Sequence, residues 1–358
     1  MTDGPEAGLE ILGEWDLGEV TAWASAGGTA GRTWKVTTGT AEYFLRRRGP
    51  RTSSEARVRF DCGLRDHLLA CGVDTAAALA TRSGARWVRR AEGVYELYPF
   101  VRGRPFDPLA PRDLPLAAEA LARYHLAAAR FRPPAAGEPI AQYTTLGFSA
   151  RTSARMDDPE LQLENLRAVA GLAPSPGEAD LVARCAARVE AGRATYAGAA
   201  YDHLSGWVIH GDYTPANLLY AQGADAEDAG AATGTVYVFD LDWALPGARV
   251  RDVADGMYFF ATRPRDLDAA SIWSLTDAAD FDPDRCARFL SAYAAVAPLS
   301  SAEVAAVPAA FAGRWLSIRL EGMAKVRPEE RFRFFARDVE RPLLWLDAHW
   351  PQVEARLR

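Results

Sequence analysis

The apolar and polar positions of the chain change period twice. Between residues 20 and 46, short β-branched and aromatic runs (Val20–Trp23, Thr33–Thr38, Glu42–Arg46) alternate with glycine-containing turns, and predict three strands. Ser54–Cys71 then reads as a helix, with Ser53 or Ser54 as N-cap and Gly72 as its stop. Two further strands are expected at Ala85–Arg90 and Gly93–Phe100. After VRGRPF the period becomes helical. Pro115–Arg130 carries Leu116, Leu121, Tyr124 and Leu126 at helix-like spacing, and helices follow at Asp158–Ala170 and Glu178–Ala194. Strand signals return only in Val208–Ile209, Leu218–Tyr220 and Val236–Phe239, with the Ala/Gly/Asp-rich stretch Ala221–Gly234 as a mobile hairpin tip. From Ser271 the pattern is helical to the end, with Trp315, Ile318, Leu343, Leu344 and Leu346 as expected core residues. The reading is α+β: a small N-terminal lobe (1–100), with an antiparallel sheet and one helix, and a large, mainly helical lobe (101–358) holding a short hairpin.

Composition narrows the function classes. The chain has 358 residues, 49% hydrophobic and 25% charged, so it can bury an ordinary core without disulfides or a structural metal. Lys+Arg 41 against Asp+Glu 47 leaves −6, with no basic field for nucleic acid. Four dispersed cysteines without a CxxC pair fit a reducing cytoplasm. The acidic start has no signal-peptide order and no apolar run is long enough to span a membrane, so neither export nor a membrane partner is expected. Oligomeric state is open between monomer and homodimer.

The chemistry concentrates in two segments. VIHGDYTPANLLY runs an apolar strand into His210, Gly211 and Asp212, with Asn217 five residues after the aspartate. VYVFDLDWA delivers Asp240 at the end of a second apolar strand. Phosphoryl transfer needs a carboxylate beside the attacking hydroxyl and oxygen ligands for Mg²⁺ at the phosphates. Were the two strands to pair, Asn217 and Asp240 would share one metal centre while Asp212 faces the acceptor. His210 reads as a loop brace.

HGDYTPANLLY resembles the catalytic loop, and VFDLDWALPGARVRDVAD the metal-binding segment, of the aminoglycoside phosphotransferase/choline kinase superfamily. That resemblance implies a bilobal protein-kinase-like fold and an ATP-dependent kinase acting on a small-molecule hydroxyl: an amino alcohol, a sugar or an aminoglycoside-type antibiotic. It implies Asp212 as catalytic base, Asn217 and Asp240 as Mg²⁺ ligands, and Asp252 and His125 as structural support. AGGTAGR resembles the turn covering the nucleotide, with Gly27, Gly28 and Gly31 approaching the phosphates. EYFLRRR places Arg46 where the family carries a phosphate-pairing lysine, with Lys35 as competitor. Asp61 is the expected acidic partner of Arg46, with Glu55 as alternative. ELYPFVRG resembles the hinge, where the backbone of Tyr98, Pro99 and Phe100 would bind adenine. LYPFVRGRPF and FLSAYAAVAPLSSAEV look most like the type II homoserine kinase branch. Asp242, Trp243, Asp255 and Glu321 are candidates to line the acceptor site, or are packing and solvated residues. Two other readings stand beside the kinase: an inactive kinase-like binding module, and a haloacid-dehalogenase-type phosphatase using Asp240 and Asp242.

Overall fold

A computed structural model describes residues 10–26, 32–132, 143–144, 152–153, 155, 158–222, 232–264 and 271–357. The nucleotide-turn glycines Gly27, Gly28 and Gly31, and most of the 221–234 tip, lie outside the described residues. The chain divides into two compact units, 1–104 with 131–140, and 105–130 with 141–358.

The first unit is a five-stranded sheet of β1 (Val20–Ser25), β2 (Arg32–Thr38), β3 (Glu42–Arg47), β4 (Val88–Arg90) and β5 (Gly93–Pro99), ordered β1-β2-β3-β5-β4 and antiparallel throughout. Strand pleating sends alternate residues to opposite faces. Val36, Leu45, Tyr95 and Leu97 therefore point one way and close a core with Ile11, Leu12 and Trp15. Val94 points the other way and packs with Val58 and Cys62 of helix α1 (Glu55–Ala70). Of the two N-cap candidates Ser54 is the one used: its side chain accepts the Arg57 N–H, satisfying one of the orphan donors of the first turn. Gly72, at φ 79°, lets the chain leave the helix in the left-handed conformation that a side chain disfavours.

The second unit is mainly helical: α2 (Asp113–Ala128), α3 (Pro159–Ala170), α4 (Pro176–Arg193), α5 (Gly198–Leu204), α6 (Val250–Phe260), α7 (Ile272–Leu275), α8 (Pro283–Val296), α9 (Ser301–Gly322), α10 (Arg331–Ala336) and α11 (Arg341–Ala355). Its strands form three two-stranded ribbons. β6 (Tyr143–Thr144) pairs with β7 (Thr152–Ser153), β8 (Trp207–Ile209) with β11 (Leu245–Gly247), and β9 (Leu218–Gln222) with β10 (Ala232–Val238). Helix α9 starts on a full capping box, in which Ser300 and Glu303 satisfy each other's backbone N–H. Trp315, Leu343 and Leu346 are buried as expected, whereas Leu126 and Leu344 are exposed on the outer faces of α2 and α11. Among the described residues no helix is long and apolar enough to cross a membrane.

Candidate active site

The second unit brings the chemistry-bearing segments together. The loop after β8 is clamped by Asp252 from α6. One carboxylate oxygen accepts the His210 N–H at 2.5 Å and the other accepts the Gly211 N–H at 2.9 Å. Gly211 sits at φ 81°, which lets the chain turn back onto that carboxylate. His125 of α2 donates from Nε2 to the same carboxylate at 3.0 Å, and its Nδ1 accepts the Tyr293 hydroxyl at 2.8 Å. Tyr293 in turn receives Arg249, which is bound in a fork by Glu303 at 2.6 and 2.9 Å. All these side chains are buried. Burial presses the Asp252 pKa upward, but the hydrogen bonds from His125 and the Gly211 N–H hold it below the usual carboxylate range. Burial dominates at His125 and keeps the imidazole pKa low despite Asp252, so the pair is a carboxylate accepting from a neutral ring.

His210 braces the loop from inside. Its Nε2 faces the Phe239 carbonyl at 2.8 Å, an acceptor only, so that nitrogen carries the proton and Nδ1 accepts the Asp212 N–H at 3.3 Å. The histidine thereby ties the Asp212 loop to the end of β10. Asn217 folds back, its amide donating to the Asp212 carbonyl at 2.8 Å and to Asp212 Oδ2 at 3.2 Å. With the NH₂ turned toward Asp212, the Asn217 side-chain oxygen faces away from it.

β9 and β10 do pair, with Leu218 opposite Val238, and the Phe239 N–H donates to the Asn217 carbonyl at 2.9 Å. Asn217 and Asp240 therefore emerge side by side at the same end of one ribbon. Asp240 adopts φ 57° and ψ 65°, one of two non-glycine residues with positive φ among those described. Strained backbone of this kind concentrates at functional positions. Two hard oxygen donors suit Mg²⁺, which binds through one or two protein ligands and completes its octahedron with water and phosphate oxygens. The described residues contain no cluster of three or more His, Cys, Asp and Glu that would hold a metal by protein alone.

The expected acceptor residues fare differently. Asp255 is fully buried in α6, its Oδ1 ion-paired with Arg251 and with Arg314 Nε at 2.7 Å. Trp243 packs on the Leu161, Ile209 and Leu245 cluster beside Trp207. Asp242 is buried in the single turn Leu241–Trp243. Glu321 is half-buried two turns beyond Arg314, on the same face of α9. Sequence reading missed Arg314, whose Nη2 reaches Asp212 Oδ1 at 3.3 Å. Arg314 also lines a cleft among α3, α4 and α9, with Gln162, Arg251 and Gly313.

The first unit adds a residue to one assignment. Asp61 is the buried acid and Glu55 lies exposed against Arg59; Asp61 holds at 2.5 Å the guanidinium of Arg48, which the sequence did not single out beside the expected Arg46. Arg57 occupies the other Asp61 oxygen. Glu96, which sequence reading also missed, grips Arg48 at 2.7 and 3.0 Å. Arg46 is half-buried in register with Glu96, and both arginines hold the Glu96 carboxyl down against its burial. Lys35 is ion-paired with Glu42 at 2.5 Å and lies over the Phe100 ring. Tyr98 is buried at the end of β5. In the expected adenine-binding stretch, the Phe100 N–H already donates to the Glu42 carbonyl at 3.0 Å and Pro99 has none to offer.

The antiparallel sheet with one helix, followed by a mainly helical unit with short ribbons, is the kinase-like fold. The solved structures that resemble this chain share it. They include an aminoglycoside phosphotransferase from Alicyclobacillus acidocaldarius, at 18% identity and TM-score 0.64 over 99% of this chain and 98% of that one. A microcompartment-associated aminopropanol kinase matches at 17% identity and TM-score 0.65 over 99% of each chain. An amicoumacin kinase, solved with AMP-PNP and Ca²⁺, matches at 13% identity and TM-score 0.61 over 98% of this chain and 93% of that one. Residues 24–299 match the model of the phosphotransferase enzyme family, and the chain belongs to that family. The phosphatase reading of Asp240 and Asp242 is overturned: β10 pairs antiparallel with β9 alone, and the described residues contain no parallel sheet of the doubly wound kind.

Proposed function

We propose that the chain is an ATP- and Mg²⁺-dependent kinase that phosphorylates a hydroxyl of a small molecule, in the range from amino alcohols through sugars to aminoglycosides. The observation that carries this reading is the clamped loop holding the Asp212 carboxylate beside Asn217, next to the ribbon end that bears Asp240. Asp212 accepts the proton of the acceptor hydroxyl as its oxygen forms a bond to the γ-phosphorus. The bond from that phosphorus to the β–γ bridging oxygen breaks, and ADP departs with the electron pair. A magnesium ion held by Asn217 and Asp240 would supply charge stabilisation at the phosphate oxygens. Arg46, half-buried on β3 opposite Glu96, is the proposed phosphate-holding side chain, from its place in EYFLRRR.

The test is transfer of label from [γ-³²P]ATP, with Mg²⁺, to a metabolite extract supplemented with ethanolamine, glucose and kanamycin. Labelled organic phosphate is expected. Asp212→Ala should lower transfer at least about a hundredfold, the scale of a lost general base, while ATP binding by calorimetry stays within threefold. Transfer unaffected by Asp212→Ala would refute the assignment. ATP binding without transfer would favour the inactive binding module.

A further inference from the structure

The geometry points to Arg314 as the residue that positions the base, a role that rests on the kinase reading above. Asp212 is gripped at both carboxylate oxygens: Asn217 donates to Oδ2 at 3.2 Å and Arg314 Nη2 to Oδ1 at 3.3 Å. A carboxylate held on one oxygen still rotates about its Cβ–Cγ bond. Held on both, it presents a fixed lone pair to the acceptor, which is what a near-attack geometry requires.

Arg314 itself is well anchored. Its side chain is 8% exposed, its Nε lies 2.7 Å from Asp255 Oδ1, and its guanidinium sits over the Phe259 ring at 5.5 Å. Asp255 is also paired with Arg251 one turn away on α6. The guanidinium therefore runs from a rigid helix to the reacting carboxylate in one span. A lysine, with a single ammonium, reproduces the charge but not this two-ended fork.

The loop backbone does not depend on Arg314, because Asp252 already holds the His210 and Gly211 amides. The labour is divided: Asp252 sets the main chain, and Arg314 sets the side chain. Arg314 touches neither the nucleotide site residues nor the Asn217–Asp240 pair among its hydrogen bonds and ion pairs, so its loss should fall on turnover and not on nucleotide affinity.

The experiment compares Arg314→Met and Arg314→Lys, using the transfer assay with the best acceptor from the panel above. Arg314→Met should lower kcat about 30- to 100-fold with KM for ATP within threefold, and Arg314→Lys should recover part of that loss. A thermal melt checks that Arg314→Met is folded, as expected because Arg251 still pairs with Asp255. In an Asp212→Ala background, Arg314→Met should cost less than twofold, because the arginine acts through that carboxylate. The inference is overturned if folded Arg314→Met keeps kcat within threefold, or if the two losses multiply. A wild-type chain that transfers no label, or an Asp212→Ala chain as active as wild type, overturns the kinase reading and this inference with it.

Discussion

Asp252→Asn is the most informative single change, because it alters one atom at the junction of the loop and the helices. The carboxylate serves three donors: the amides of His210 and Gly211 at 2.5 and 2.9 Å and His125 Nε2 at 3.0 Å. An asparagine of the same shape has one oxygen and one NH₂, so at least one buried amide faces a donor. Hydrogen bonds to a charged group contribute about 1.5–3 kcal/mol each, and one to two of the three are lost. A loss of about 4 kcal/mol is therefore expected in the second unit. At 2–4 °C per kcal/mol this lowers Tm by about 8–16 °C. Native-state hydrogen exchange reads the same quantity residue by residue. The His210 and Gly211 amides should exchange about a thousandfold faster, while amides in the first-unit sheet keep their rates. Retained protection at those two amides, with a stability loss under about 1 kcal/mol, would show that Asp252 does not hold the loop.

Other consequences are equally direct. His125 is held neutral below its ordinary pKa of 6.5, and Asp252 is held ionised below 3.8. The unfolded chain takes up protons at both as pH falls, while the folded chain resists. Stability contributed by the pair is thus complete above pH 6.5 and declines below it, and thermal melts from pH 8 to 5 should slope less in His125→Asn. Gly256→Ala would drive a methyl into the Phe289 ring inside the second unit, an overpacking cost of about 1–3 kcal/mol that a urea midpoint would report; an unmoved midpoint would contradict the packing. Asp61→Asn should destabilise the first unit by about 3–5 kcal/mol, since Arg48 and Arg57 are left buried against a neutral group, whereas Glu55→Gln should leave the melt unchanged.

What was legible in the chain tracks how local each signal is. The strands β1 to β5 stand out because β-branched and aromatic runs are separated by turn glycines, and the His210–Asn217 loop because its chemistry lies within eight consecutive residues. Helix α6 was hidden by its own sequence: Arg251, Asp252 and Asp255 interrupt the apolar pattern, yet all three are buried because their charges are matched inside the unit. β11 is three residues long, too short for any period. That Arg48 meets Asp61 carries no local signal, since strand parity alone puts Arg46 and Arg48 on the same face. Arg314 carries no local signal at all, because it meets Asp212 across 102 positions of sequence.

The string from Glu303 through Arg249, Tyr293 and His125 to Asp252 enlists four helices and a connecting segment to shape one short loop. A nascent or partly melted chain in which any of those helices is undocked has no properly bent loop, and so no fixed setting for Asp212. The bend of the loop is complete only with the last docking event.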